Sequence, residues 1–282
     1  MPSATRISRA IAAAAVVLTA AACATPPEPD FGEALAKVPA AATVHGVDLP
    51  LDRTLLTPVE ELEVIKARNT LMERCLAAHG LTFTFPAVDP VRDAAKPRRY
   101  GLVDAREAAE FGYRDPAVFT RRSPAPTQRP PSDVVAMITG RGGPSGGCAG
   151  EADRTLAPDA KPGQEPVSFG LSGRSLEVAR TTPPVTAAAA KWSRCMAAAG
   201  FAYADPDAAI TDPAFRAGRA SAHEIAVATQ DVRCKERAEW VGTWVGVERA
   251  VQDVLIRQHA DDLTREREHK ERQLAAARTI NG

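Results

Sequence analysis

The sequence predicts a mainly α-helical protein made of two tandem modules, each closed by a disulfide bond. A Cys-bearing helix end occurs twice, at residues 74–83 and 194–203, and both copies pass through a Gly into alternating apolar residues. A repeated helix end with the same exit indicates two copies of one structural unit. Aromatic residues make up only 5% of the 282 residues, which favours a core of small aliphatic side chains on helices.

The amino terminus has the features of an export signal. Residues 11–22 form an apolar run behind two Arg residues, and the run is too short to span a bilayer as a mature helix. Its end, at Cys23, resembles the cleavage site of bacterial lipoproteins, in which that Cys receives the lipid, palmitate included. Those lipoproteins most often have Leu where this chain has Ala20, and Ala20 with Ala22 also fits an ordinary secretory cleavage site. We predict a signal peptide over residues 1–22, followed by either lipidation of Cys23 or simple secretion.

The number of Cys residues favours lipidation. The chain has five, and in an oxidising compartment four of them can pair, which leaves Cys23 over. Lipidation would give the Cys23 thiol a role that needs no second Cys. The predicted location is therefore the extracytoplasmic side of the cell membrane, held there by the lipid anchor, with secretion as the alternative.

The charge balance argues against a nucleic-acid partner. Removal of residues 1–22 takes away Arg6 and Arg9 and no acidic residue, which leaves 33 basic against 35 acidic residues. Binding to nucleic acid normally needs a concentrated basic surface, and nothing in the sequence indicates one.

Changes in composition divide the chain into five parts. Residues 1–22 are followed by a Pro-rich tether over 23–50 and by a first helical module over 51–157. The segment 158–184 is rich in Pro and Gly and is predicted to be a linker. Residues 185–282 are predicted to form the second helical module, with a long C-terminal helix.

The first module opens on a well-marked helix. Thr57 and Glu60 form a capping box around Pro58, and Gly80 ends the helix. Alternating apolar residues then predict a short extended segment that reaches Pro86. The second module repeats this plan more compactly, from a Thr-Pro pair to a second helix-ending Gly.

The cysteines give the strongest architectural prediction. Four Cys residues allow three pairings, and the repeat selects the pairing within modules, Cys75 with Cys148 and Cys195 with Cys234. Each bridge closes a long loop, so we expect it to stabilise the fold by about 4 kcal/mol in the chain-entropy account.

The repeat resembles a group of uncharacterised exported lipoproteins of high-GC Gram-positive bacteria. Those proteins have a C-[LM]-x-x-x-G-[LF] helix exit, found here at Cys75 and Cys195, and a later helix with A-x-x-D-x-x-C, found here ending at Cys234. The resemblance covers most of residues 57–258, although the second pattern is degenerate around Cys148. The resemblance implies an exported location and a repeated, disulfide-bonded helical architecture. It implies no activity.

One stretch fits the letters of a hydrolase motif. Residues 143–147 match G-x-S-x-G, in which Ser145 would be the nucleophile of a secreted serine hydrolase. That mechanism needs a strand before the Ser and a helix directly after it. Here a Pro precedes Ser145 and two Gly follow it, which favours a flexible loop.

The histidines predict no metal site. His223 begins like a zinc-protease motif, but the residue four positions later is Val227, so the second ligand is missing. His79, His259 and His269 are typical of helix ends and solvated helix faces. We predict no metal, no cofactor and no catalytic residue.

The C-terminal segment has a helical pattern from Ser221 almost to the end of the chain. Between Asp261 and Arg278 it is dense in charges of both signs, which is typical of a solvated helix. A helix that projects to meet a partner is the alternative. If this segment is a solvated helix, deletion of residues 261–282 should change the free energy of unfolding by at most about 1 kcal/mol.

Together these patterns predict a cell-envelope lipoprotein that acts as a non-enzymatic binding or interaction module. Its partners would be the membrane, through the anchor on Cys23, and another protein of the cell envelope. The alternatives are a secreted hydrolase that uses Ser145 and a solute-binding accessory subunit of a transporter. The sequence lacks the repeated alternation of strands and helices that solute-binding subunits normally show.

Overall fold

A computed structural model of the protein describes residues 30–36, 38, 48–86, 98–116, 130–140, 146–160, 165–215 and 218–282. The described part is mainly helical and contains no β-strand, which confirms the predicted fold class. The predicted signal peptide, Cys23 and Ser145 lie outside it. The helices are α1 (Gly32–Ala36), α2 (Pro58–Ala78), α3 (Ala105–Phe111), α4 (Ser132–Thr139), α5 (Gly147–Leu156), α6 (Val167–Arg180), α7 (Pro183–Ala198), α8 (Pro206–Ile210), α9 (Ala222–Arg237), α10 (Trp240–Gln258) and α11 (Ala260–Asn281).

Local signals set where the first long helix begins. The Thr57 side chain accepts a hydrogen bond from the Glu60 amide (3.3 Å), and the Glu60 carboxylate accepts one from the Thr57 amide (2.8 Å). This is the predicted capping box, which satisfies two amides that have no partner within the helix. Pro58 occupies the first helical position, where its missing N–H is not needed.

Most of the described helices fall into three packed groups. A central group consists of α6, α7 and α10. We call α2, residues 81–86, α4 and α5 the Cys75 unit, and α3, α7, α8 and α9 the Cys195 unit; α7 belongs to both the central group and the Cys195 unit.

These units interleave along the chain. Helix α3, which lies in the predicted first module, packs on α9 of the Cys195 unit. Helix α11, at the end of the predicted second module, packs along α2 of the Cys75 unit. Each spatial unit is therefore completed by a helix from the other half of the sequence.

The segment predicted as a linker, 158–184, contains α6. Leu171, Ser175 and Ala179 recur at a spacing of four residues and form a buried stripe against α10. The composition suggested a linker because Pro and Gly are common there, but this short stripe of small and apolar residues suffices for a packed helix.

The C-terminal segment is packed, so the prediction of a solvated tail is wrong. Leu263, Leu274 and Ala277 are buried, with at most 5% of their surface exposed. Their spacings of eleven and three residues place them on one side of α11, which faces the rest of the protein. The helical pattern from Ser221 is also divided into α9, α10 and α11, with breaks at Glu239 and His259.

Part of the predicted tether also packs on the core. Phe31, Leu35 and Val38 lie against the central group, and Leu49 is fully buried. Within the described residues, no helix is both long enough and apolar enough to cross a membrane.

Candidate functional site

Both copies of the repeated motif end their helix in the same backbone geometry. In the first copy, the Gly80 amide donates to the Ala77 carbonyl and the Leu81 amide donates to the Leu76 carbonyl. This is a Schellman motif, which requires a positive φ at the Gly, here 73°. The second copy has the same two bonds and a φ of 89°: Gly200 N to Ala197 O and Phe201 N to Met196 O.

The disulfides follow the pairing that the repeat predicts. Cys75 is bonded to Cys148 and Cys195 to Cys234, with a Cα–Cα distance of 5.6 Å in each bridge. The partners occupy different positions on their helices, because Cys148 is the second residue of α5 and Cys234 lies near the end of α9. The copies are therefore alike at the helix exit and different at the second cysteine.

The Asp of the A-x-x-D-x-x-C pattern is a buried polar anchor. Asp231 accepts hydrogen bonds from Trp192 Nε1 (2.8 Å) and Lys235 Nζ (2.9 Å), and Lys235 also donates to the Leu102 carbonyl (2.9 Å). Burial raises the pKa of Asp231 against the opposing charge of Lys235, and burial lowers the pKa of Lys235. These bonds join α9 to α7 and to the segment before α3, so we assign Asp231 a structural role.

A second buried carboxylate, Glu248, joins α10 to two other parts of the chain. It accepts hydrogen bonds from both Nε and Nη2 of Arg99, from the Tyr100 hydroxyl (2.7 Å) and from Ser175 Oγ (2.9 Å). Gln252 Nε2 donates to it as well (3.1 Å). Burial, with the neighbouring Glu248 charge, raises the pKa of Tyr100. The partners of Glu248 all come from the protein, and the network holds residues 98–101 against α6 and α10.

A third buried carboxylate, Glu224, fastens the end of α3 to the start of α9. Its oxygens accept hydrogen bonds from the Tyr113 amide and from an Arg114 Nη, both at 3.2 Å. Its own amide donates to Ser221 Oγ, the cap of α9. Like the other two carboxylates, Glu224 connects segments that are distant in sequence.

The histidines of the described residues do not converge on a common site. His79 is the C-cap of α2, and His223 lies 6.0 Å from the ring centres of Phe201 and Phe215. His259 lies 3.6 Å from an oxygen of Asp262. Across the part of the chain that the structure describes, no group of His, Cys, Asp or Glu side chains could hold a metal ion.

One concave surface lined by apolar and charged side chains lies beside the amino end of α6. This α6–α11 groove has a volume of about 470 Å³ and is open to solvent. It is lined by Asp159, Ala160, Glu165, Pro166, Val167, Asp262, Arg265, Glu266, His269, Lys270, Arg272 and Gln273. Glu266 fixes its floor by accepting hydrogen bonds from the Ser168 amide (2.9 Å) and hydroxyl (2.5 Å).

An exposed aromatic side chain lies next to this groove in sequence. Phe169, two residues after Val167, has 68% of its surface exposed, the largest exposed fraction among the large apolar side chains of the described residues. Aromatic and Arg side chains are enriched at protein–protein interfaces. The groove and Phe169 are therefore two candidate binding features at the amino end of α6.

Comparison with known proteins adds no identity. No protein-family model, curated protein or solved structure matches this chain. The functional assignment therefore depends on the geometry of the chain itself.

Sequence reasoning did not identify the buried carboxylates. For Asp231 a signal was present, since Asp231 and Lys235 are four residues apart on a helix face that also contains Val227 and Ala228. For Glu248 no local signal exists, because its partner Arg99 is 149 residues away along the chain. The groove was also missed, because it forms where α11 meets α6.

Proposed function

We propose that this protein is an exported, lipid-anchored component of the cell envelope that binds another envelope protein and catalyses no reaction. The two disulfides support export most directly, because such bonds persist in oxidising compartments. The apolar leader that ends at Cys23 is consistent with the anchor.

The roles of the buried ionisable groups support binding over catalysis. Asp231, Glu224 and Glu248 are each surrounded by donors from the protein that fix one helix against another. A catalytic carboxylate instead faces a cleft, where it can reach a substrate. These three groups face the interior, and their chemistry stabilises the fold.

The two candidate binding features support a protein partner. Phe169 offers an apolar side chain that a partner could bury, and the α6–α11 groove at the same end of α6 offers charges of both signs. A partner with a shallow apolar pocket and charged residues would match both features.

The anchor is tested by phase partition in detergent after expression in a host that lipidates exported proteins. We expect the wild-type chain in the detergent phase and a Cys23→Ala variant in the aqueous phase. A wild-type chain that is found in the medium with an unmodified Cys23 would show that the secretory alternative is correct.

The binding role is tested by placing a photoreactive amino acid at one exposed position at a time. Position 169 is the test, and position 59 is the matched control, because Val59 is exposed to a similar extent (62%) at the start of α2. We expect a discrete crosslinked envelope protein from position 169 and none from position 59. The same adducts from both positions, or none from position 169, would contradict the proposal.

A further inference from the structure

A single residue separates the last two helices. His259, with φ −112° and ψ 26°, breaks the path between α10 and α11. Residues 257–262 around it contain neither Pro nor Gly, the residues that oppose helix formation most strongly. The sequence of this junction is therefore compatible with one continuous helix.

The bend leaves backbone groups without helical partners. No side chain caps the start of α11. The first amides of a helix have no acceptor within it, and here those amides belong to Ala260, Asp261 and Asp262. In a continuous helix, the same amides would donate to the carbonyls of residues 256–258. Straightening the junction therefore adds backbone hydrogen bonds.

The contact that holds α11 against α2 combines small and larger aliphatic side chains. Ala67 and Ala277 are fully buried there and form an apolar cluster with Leu156. At its edge, Arg278 Nε lies 2.9 Å from a Glu63 carboxylate oxygen, in an exposed ion pair. The Cys75 unit packs on the rest of the described chain mainly through this helix.

We infer that α11 is an exchangeable element and that its second binding place is α2 of another copy of this chain. When α10 and α11 join through His259, α11 projects from its own chain, and two such chains can each receive the partner's helix. The exchanged contacts are the same as those within one chain. The balance between monomer and dimer therefore depends on the junction and on the chain concentration. This inference is independent of the proposed function.

The junction is tested with two substitutions at one position, in the full chain carrying Cys23→Ala so that no lipid brings copies together. Ala favours the helix over Gly by about fivefold at one position, and a dimer contains two junctions. The dimer dissociation constant, measured by analytical ultracentrifugation, should be about 25-fold lower for His259→Ala than for His259→Gly. Equal dissociation constants for the two variants, or no dimer from His259→Ala, would overturn the inference.

The exchange itself is tested by reversing the charges of the Glu63–Arg278 pair. Glu63→Arg and Arg278→Glu each bring like charges together within a chain, but a swapped pair of these two chains restores opposite charges at both contacts. Each substitution is placed in the His259→Ala chain, and the two are co-expressed with different tags. We expect heterodimers in excess of both homodimers, by about fivefold given the modest strength of exposed ion pairs. A statistical mixture of dimers would show that α11 is not exchanged.

Discussion

The Cys75 unit and the Cys195 unit share one helix exit and differ in the hydrogen bonds that hold the residues after it. In the Cys195 unit the extended residues after Gly200 are fixed, since Tyr203 donates its hydroxyl to Asp212 (2.7 Å) and its carbonyl accepts from Ser193 (2.7 Å). In the Cys75 unit, the Phe85 amide donates to a Glu73 carboxylate oxygen (2.9 Å), and the Phe83 and Phe85 rings lie 5.1 Å apart. A shared motif therefore determines the helix end, and different side chains hold the residues that follow it.

The two units also contain ion pairs of very different burial. Asp231 and Lys235, both on α9, form a fully enclosed pair in the Cys195 unit. In the Cys75 unit, α2 and α5 are joined by Arg68 and Asp153, an exposed pair with an N–O distance of 2.6 Å. Burial makes removal of one partner costly, whereas solvent screens an exposed pair.

The largest expected effect comes from breaking the buried pair. Asp231→Ala leaves buried Lys235 without its carboxylate partner and removes the nearer acceptor of Trp192 Nε1, the carboxylate oxygen at 2.8 Å, so we expect a loss of about 3–5 kcal/mol in the free energy of unfolding. The matched change in the other unit, Asp153→Ala, should cost at most about 1 kcal/mol. Denaturant unfolding of both variants measures the difference, and similar losses would contradict the contrast between the two units.

Replacing the Gly that ends the Cys-bearing helix should cause a smaller loss of stability, and the loss should be equal in the two units. Gly80 and Gly200 both have positive φ, and a Cβ added at either would meet no atom within 4 Å. Substitution by Ala therefore costs only backbone strain, about 1–2 kcal/mol at each position. Thermal or denaturant unfolding of Gly80→Ala and Gly200→Ala should give losses that agree within a few tenths of a kcal/mol. A clear inequality would mean that the two exits are not equivalent.

The smallest expected change in stability depends on pH and comes from the Tyr203–Asp212 hydrogen bond, which only the Cys195 unit has. Burial and the hydrogen bond to Asp212 raise the pKa of Tyr203 to about 12. The folded pKa lies above the unfolded value of about 10, so this stabilisation is complete below pH 10 and is lost as the pH rises towards 12. The same bond lowers the pKa of Asp212, so its contribution is also lost as the pH falls through that lowered pKa.

Comparison of the wild-type protein with Tyr203→Phe isolates this bond. The difference in unfolding free energy between them should be constant at neutral pH and shrink in both the alkaline and the acidic window. Ultraviolet absorbance should show Tyr203 ionising near pH 12 in the wild type. Ionisation near pH 10 in the folded protein would show that the bond to Asp212 does not form.

Local features were predictable from the sequence, and long-range features were not. The capping box at Thr57 and the helix ends at Gly80 and Gly200 depend on a few neighbouring residues, and the structure has them where the sequence placed them. The packing of α11 depends on Leu263 and Ala277 meeting complementary surfaces elsewhere in the chain. Charge density alone suggested solvent exposure, because helix propensity and charge carry no information about the partner surface.

The Cys75 unit is held to the rest of the described chain mainly by α11, whereas the Cys195 unit is built into the core. Hydrogen exchange measured by mass spectrometry, on the full chain and on a chain that ends at His259, tests this directly. We expect truncation to reduce protection in α2, α4 and α5 while α7 and α9 keep theirs, because α7 and α9 pack on α10 and not on α11. Unchanged protection in α2, or an equal loss in α2 and α9, would contradict the claim.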